Sequence, residues 1–357
     1  MAKSLKIDRK ILASCIAAEE AKFIELHPKS RDASRGANSS LLGGVPMPWM
    51  KRWPGAFPIS VANAHGAKFV DIDGIEYVDF CLGDTGSMTG HAVAEINSAI
   101  VNQLSRGSTV MLPSLDSTWV GQELTERFGL PKWQFSVSAT DANRFVLRLA
   151  RHLTNRPKIL VHDWCYHGTV DETLVIADEN GETISRHGAI GPQVHPSLTT
   201  RVVPFNDLHA LERQLKFGDV ACMLIEPALT NIGIVLPEPG YLEGVRKLTR
   251  KYDVILIIDE THTICAGPGG ATRHWNLEPD ILVIGKTIGG GVPVAAYGMS
   301  AELARRAEEF MTSHDVDVSG LGGTLSGSVL AMAAVRATLT NALLPEQFHL
   351  TTGLATR

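Results

Sequence analysis

Two short apolar runs in the second half of the chain constrain its fold most. Val254–Ile258 and Ile281–Ile284 consist of β-branched residues and leucine, and neither run contains a polar residue. Such runs are typical of strands that are buried on both faces of a parallel sheet. Asp259 follows the first run directly, and Lys286 follows the second after one glycine. Because ligands bind at the carboxyl edge of open α/β sheets, we expect Asp259 and Lys286 to face a common site.

The chemistry of this pair admits two interpretations. A lysine on a glycine-flanked turn can lose its charge and form a Schiff base with an aldehyde, and Gly285 and Gly289–Gly291 flank Lys286. An aspartate nearby can keep a pyridine nitrogen protonated, so the two residues would suit pyridoxal 5'-phosphate. An ion pair between two strand ends would bring the same residue types together. The pair alone leaves both interpretations open.

The residues around this pair resemble those of one enzyme family. The order and spacing are similar to those of class III (fold type I) aminotransferases that depend on pyridoxal phosphate, in the branch near glutamate-1-semialdehyde aminomutase. The motifs that carry the resemblance are Ile258-Asp259-Glu260, Pro279-Asp280, Gly285-Lys286 and Gly289-Gly290-Gly291-Val292-Pro293. The resemblance implies that Lys286 holds the cofactor as a Schiff base and that Asp259 pairs with the pyridine nitrogen. These two are the predicted catalytic residues.

The resemblance also implies a fold and a division into domains. We expect an α/β protein of fold type I, with a mostly parallel doubly wound sheet in a large domain and a smaller α+β domain. Strand, loop and helix patterns alternate from Phe135 onward, as such a sheet requires. Residues 1–80 should hold an N-terminal helix, a substrate-side loop and a hairpin of the small domain. Residues 81–320 should form the large domain, and 321–357 the truncated start of a C-terminal small domain.

A predicted helix start supplies the expected phosphate site. Ser138, Ala139 and Thr140 would leave backbone N–H groups open to an anion, although a plain helix cap has the same sequence. The family has glycine where this chain has Ala139, so we expect a reshaped phosphate cup. Tyr166 should stack on the pyridine ring, and Thr324 should reach the phosphate in a partner subunit. The other cofactor-binding residues that the resemblance implies are His167, Glu226, Asn231 and Thr261.

The predicted substrate site lacks two arginines that bind carboxylates in the family. Leu42 stands at the position of one, and the segment from Thr261 to Gly270 contains none. We therefore expect weak selection for dicarboxylates and a preference for donors with a bulky hydrophobic group. Arg52, Arg273 or a residue of the missing C-terminal part could instead bind the carboxylate. The residues predicted to contact the substrate are Ser39, Leu42 and Trp49, although a tryptophan in a loop can equally anchor a surface.

The predicted function is that of an aminotransferase. An amino group would pass from an amine or amino acid to a keto acid, in a homodimer with shared active sites. The alternative is an aminomutase similar to the glutamate-1-semialdehyde enzyme, which moves an amino group within one molecule. A homologue that binds the cofactor without turnover is a third interpretation. The retention of both Lys286 and Asp259 argues against it.

Composition excludes several other classes of protein. The chain has 357 residues, 44% of them hydrophobic, and a net charge of −5 without long charge runs. Neither nucleic acid nor a membrane surface is therefore an expected partner. The five cysteines are scattered, and the N-terminus lacks the apolar core of a signal peptide, so we expect a cytoplasmic protein. His162, Cys165 and His167 fit no zinc-binding spacing, so we predict no metal site.

Overall fold

The computed structural model describes residues 7–312 and 319–356. The elements in chain order are α1 (Arg9–Leu26), α2 (Pro28–Ala37), β1 (Val61–His65), β2 (Lys68–Asp71), β3 (Glu76–Val78), α3 (Ala94–Leu104), α4 (Leu115–Phe128), β4 (Lys132–Ser136), α5 (Ala139–Thr154), β5 (Lys158–His162), β6 (Val175–Ala177), β7 (Thr183–Ser185), β8 (Thr200–Val203), α6 (Leu208–Leu215), β9 (Val220–Ile225), α7 (Tyr241–Lys251), β10 (Ile255–Asp259), α8 (Gly270–His274), β11 (Ile281–Ile284), β12 (Ala295–Met299), α9 (Ala301–Thr312), α10 (Val329–Asn341) and α11 (Pro345–Ala355). Within this part of the chain, no helix is both long enough and apolar enough to cross a bilayer.

A seven-stranded sheet organises the larger part of the chain. Its order is β4-β12-β11-β10-β9-β5-β8, and β12 alone runs antiparallel to its neighbours. The two apolar runs form β10 and β11, which are adjacent and parallel, with Ile258 opposite Leu282 and Asp259 opposite Val283. This register places Asp259 and Lys286 at the same edge of the sheet. The predicted mostly parallel, doubly wound α/β sheet is confirmed.

Helices cover both faces of this sheet, and alternate strand residues pack against each. In β10, Ile257 packs with residues of α5 and α9, whereas Ile258 packs with residues of α6 and α7. In β11, Val283 packs on the α5 side and Leu282 packs with α4 and α10. Each side chain buried in this way stabilises the fold by about 1.5–3 kcal/mol. Burial on both faces explains why these strands lack polar alternation.

The chain divides into two compact units. The N-terminal unit runs to Leu82 and includes Gly90–Ala92, and the central unit contains the remaining residues. The N-terminal unit holds α1, α2 and an antiparallel sheet of β1, β2 and β3. The predicted N-terminal helix and the hairpin β2–β3 are both confirmed. The domain boundaries predicted at residues 80 and 320 stay predictions.

Candidate active site

A cavity of about 400 Å³ lies in the central unit, at the carboxyl ends of β10 and β11. This volume lies within the usual range for cofactor and ligand sites. Most of the predicted cofactor-binding residues line it, although they come from widely separated parts of the chain. Those residues are Ser138, Ala139, Thr140, Tyr166, His167, Glu226, Asp259, Thr261 and Lys286.

Other predicted residues lie elsewhere. Asn231 is exposed in the irregular segment after β9, and Thr324 is exposed in the loop before α10. Neither belongs to the lining of the cavity. Ser39, Leu42 and Trp49 belong to the N-terminal unit and are exposed, Leu42 to 96%. The proposed roles of these five residues stay predictions.

Asp259 forms the buried acidic end of the cavity. Its Oδ2 accepts hydrogen bonds from Asn143 Nδ2 and His167 Nδ1, each at 2.9 Å, and its Oδ1 accepts one from the Thr261 backbone N–H at 3.0 Å. Burial opposes ionisation, but the His167 ring and the other donors outweigh it and lower the pKa of Asp259. Burial also favours a neutral His167, yet its neighbours Cys165 and Asp259 raise the pKa of that imidazole well above 6.5. The two residues therefore form a buried ion pair at neutral pH.

The start of α5 lies at the position where the sequence predicts an anion site. Ser138 is the N-cap, and its Oγ accepts a hydrogen bond from the Asp141 backbone N–H at 3.2 Å. The first N–H groups of this 16-residue helix have no partner within the helix, and its dipole favours a negative group there. Ala139 is the first helical residue and is not among the residues with positive φ. Ala139 therefore adopts an ordinary backbone conformation, and the expectation of a reshaped cup at this position stays a prediction.

Lys286 lies between the two ends. It follows Gly285 with a φ of +50°, which is uncommon in a residue other than glycine and recurs at functional sites. Its Nζ donates to Asp84 Oδ2 at 2.6 Å and lies 2.6 Å from His262 Nε2. Sequence reasoning missed both partners. His262 directly follows the predicted residue Thr261, which was an available signal, whereas Asp84 is 202 residues away from Lys286 along the chain.

Comparison with known proteins identifies the family. Residues 49–349 match the family model described as aminotransferase class-III. The chain belongs to the class III aminotransferase family. It is therefore an enzyme of the transaminase family, and pyridoxal 5'-phosphate is its cofactor, as the sequence predicted.

The relatives of this class III enzyme are aminomutases and transaminases. It is 35% identical, over 86% of its length and 71% of the relative, to a glutamate-1-semialdehyde 2,1-aminomutase of Thermodesulfovibrio yellowstonii. A structure described as a glutamate-1-semialdehyde-aminomutase from Pseudomonas aeruginosa matches 99% of this chain and 79% of its own, with 47% identity and a TM-score of 0.94. A lysine-to-alanine variant of that protein is described in complex with PMP. An omega-transaminase from Sphaerobacter thermophilus matches 92% of this chain and 76% of its own, with 31% identity and a TM-score of 0.82.

The lining of the class III site fits this cofactor. An ionised, buried carboxylate lies at one end, a helix N-terminus at the other, and a primary amine between them. Thr261 Oγ1, which lines the cavity, is buried and has no hydrogen-bond partner in the part of the chain that the structure describes. A polar ligand in the cavity would supply that partner. The donor set thus matches a pyridine nitrogen, an aldehyde and a phosphate.

The buried pair makes stability depend on pH. Because the pKa of His167 is raised, its contribution is complete below 6.5 and is lost as the pH rises through the raised value. Because the pKa of Asp259 is lowered, its contribution is complete above 3.8 and is lost only as the pH falls through the lowered value. The pair therefore contributes fully between these two limits.

We expect His167→Gln to lower the free energy of unfolding by about 3 kcal/mol near pH 6, since it leaves the Asp259 carboxylate buried without its counter-charge. Above pH 6.5, the wild type should lose up to about 1.4 kcal/mol per pH unit through His167, and the variant should lack that slope. Urea unfolding of both proteins across this range measures the difference. The exposed His195 provides the control His195→Gln. Parallel pH profiles of wild type and His167→Gln would contradict the charged pair.

Proposed function

We propose that this class III enzyme is an aminomutase that moves an amino group within one molecule of the glutamate-1-semialdehyde class. The observation that carries the proposal is the match to the Pseudomonas aeruginosa structure, at 47% identity over 99% of this chain. The curated relatives at about a third identity share that description. They favour the alternative stated from the sequence over the first choice, an intermolecular aminotransferase with a bulky hydrophobic donor. These aminomutase relatives give that donor class no support.

Several residues that line the cavity have a role in this proposal. Pyridoxal 5'-phosphate supplies an electron sink when it is bound. Lys286 Nζ, once neutral, takes a proton from the substrate carbon that carries the amino group and returns it at the end of the transfer. The Asp259 carboxylate stays ionised and keeps a facing ring nitrogen protonated, because His167 and Asn143 lower its pKa.

Other lining residues bind and orient. The backbone N–H groups at the start of α5, with Ser138 and Thr140, would hold the phosphate. Tyr166 would pack against the ring, and the cofactor would offer Thr261 Oγ1 the partner that it lacks. Thr324 completes the site of a second subunit, so the working form is a homodimer.

Intermolecular transamination is a second candidate, which a specific observation favours. Leu42 stands where the aminomutase pattern has arginine, and among the described residues no arginine lines the cavity. A buried carboxylate needs a paired donor, and arginine is the usual one. An amine without a carboxylate would suit such a cavity, and one structural relative is described as an omega-transaminase.

One assay separates the two candidates. The holoenzyme is incubated with glutamate 1-semialdehyde alone, without any keto acid, and the isomerised product is counted per active site. An aminomutase should complete many turnovers, because donor and acceptor carbons belong to the same molecule. An intermolecular aminotransferase should instead consume about one equivalent of the substrate, release a deaminated carbonyl product without isomer, and resume only when pyruvate or 2-oxoglutarate is added. That stop-and-resume behaviour would overturn the aminomutase proposal.

A further inference from the structure

Three side chains at the mouth of the cavity form a compact group, which we call the lysine triad: Asp84, His262 and Lys286. Lys286 Nζ lies 2.6 Å from both Asp84 Oδ2 and His262 Nε2. The same Asp84 oxygen is 3.9 Å from His262 Nε2. Asp84 Oδ2 therefore lies near both Lys286 Nζ and His262 Nε2, and these two nitrogens contact each other.

The surrounding hydrogen bonds fix the tautomer of His262. Thr85 Oγ1 donates its single proton to the Asp84 backbone carbonyl oxygen at 2.6 Å. The same Oγ1 lies 3.2 Å from His262 Nδ1, and with its proton committed it can only accept there. His262 Nδ1 therefore carries the ring proton. The lone pair of Nε2 faces Lys286 Nζ, which donates to it.

We propose that His262 is the base that takes a proton from the Lys286 ammonium and later returns it, with the Asp84 carboxylate stabilising the charge in both positions. In this step an N–H bond of Lys286 Nζ breaks and its electron pair stays on Nζ. The proton forms a bond to His262 Nε2, while the Nδ1 proton stays in place. The amine becomes neutral and the imidazole becomes an imidazolium. This inference deepens the proposed function, since it rests on Lys286 acting there as a neutral amine.

The electrostatics of the triad set the protonation states from which the transfer starts. The charged groups that face His262 are Lys286, Asp84, Glu226 and Asp259. Burial first, and then the Lys286 charge, lower the pKa of His262, although the carboxylates partly oppose them. Burial opposes ionisation of Asp84, but the hydrogen bond and charge of Lys286 lower its pKa. At neutral pH the triad therefore combines an ionised Asp84 carboxylate with an unprotonated His262 Nε2, which can take up a proton from Lys286 Nζ.

The backbone around Asp84 is strained in the conformation that holds this arrangement. Asp84 and Thr85 have φ values of +55° and +69°, in the left-handed region that residues with a side chain seldom adopt. Both side chains contact the same imidazole ring or its lysine partner. The strained turn therefore positions one carboxylate and one hydroxyl against a single proton path.

The first test reads the tautomer directly. The full chain without cofactor is labelled with ¹⁵N-histidine, and His262→Gln identifies the His262 signals by nuclear magnetic resonance. We expect a neutral ring protonated at Nδ1, with a pKa below 6.5 that rises in Lys286→Met, where the neighbouring charge is gone. A ring protonated at Nε2, or a pKa that Lys286→Met leaves unchanged, would overturn the proposal.

The second test separates proton transfer from simple positioning. His262→Gln retains an oxygen that can accept from Lys286 but cannot take up a proton. We measure how fast each full-length protein, freed of cofactor, forms its visible band with added pyridoxal phosphate, as a function of pH. The variant should react roughly 10²-fold more slowly at neutral pH, with its profile shifted to higher pH, because Lys286 must then lose its proton to water.

Controls keep the two proposals distinct. His209 is exposed on α6, so His209→Gln should follow the wild-type profile. A His262→Gln profile that coincides with the wild type would overturn proton transfer by His262. Neither measurement uses an amino donor or acceptor. A failed isomerisation assay would therefore contradict the proposed function and leave the result for the lysine triad unaffected.

Discussion

Lys286→Ala should abolish the visible absorbance of the holoenzyme and reduce turnover by roughly 10⁴-fold, the upper end of what one acid–base group contributes. In the proposed function, the substitution removes both the amine that binds the cofactor covalently and the group that moves the substrate proton. The fold should tolerate it, because the side chain of Asp84, which loses its ion-pair partner, is 73% exposed. Ion pairs of that kind contribute less than about 1 kcal/mol.

Borohydride reduction followed by peptide mapping identifies the lysine that holds the cofactor. The label should appear on Lys286 in the wild type and disappear in Lys286→Ala. Lys247 is exposed on α7, so Lys247→Ala should keep both the label and full turnover. A label on any other lysine of the wild type would refute the role given to Lys286.

The central strands could be predicted because their signal is local. An apolar run without alternation requires burial on both faces, and β10 and β11 show that burial at every position. Asp259 and Lys286 follow from the same signal, since parallel strands end at one edge of the sheet. The start of α5 was equally predictable, because Ser138 caps it through its own side chain.

Strand β12 could not be predicted, because its stability comes from distant partners. Its sequence, Ala-Ala-Tyr-Gly-Met, has little intrinsic strand preference. It pairs with β11 on one side and with β4, more than a hundred residues earlier, on the other. Gly298 is needed there, since a Cβ at that position would come within 2.7 Å of the Trp133 ring. Tertiary packing overrides local preference in such a strand.

The lysine triad could not be predicted either, because it also depends on residues that are distant along the chain. Asp84 is polar and exposed and lies in a turn of the kind that any loop could contain. Only folding shows that its carboxylate meets an amine 202 residues further along the chain. His262 lies in the segment from Thr261 to Gly270, where sequence reasoning singled out only a missing arginine. The chemistry of a site that forms between distant loops is therefore invisible to motif spacing.

Asp259→Asn should keep the cofactor on Lys286 but lose turnover by roughly 10²–10³-fold, the usual effect of removing one preorganised electrostatic group. An amide cannot hold a facing ring nitrogen protonated, so the electron sink weakens. The amide also fits its neighbours poorly. Either its Nδ2 faces the Thr261 N–H, or it faces the donors of Asn143 and His167. One buried donor is left unsatisfied, at a cost of about 1–3 kcal/mol.

The visible band, the turnover number and urea unfolding together distinguish this effect from simple misfolding. A correctly folded Asp259→Asn protein should show the band at full amplitude, a depressed turnover number and a modestly reduced free energy of unfolding. Asp253 is the matched control, since its side chain is 95% exposed, and Asp253→Asn should match the wild type in all three. Asp259→Asn also removes a carboxylate that raises the pKa of His167. The dependence of the free energy of unfolding on pH above 6.5 should therefore flatten in this variant. Turnover near the wild-type value, with that slope retained, would show that Asp259 is neither the partner of the ring nitrogen nor the counter-charge of His167.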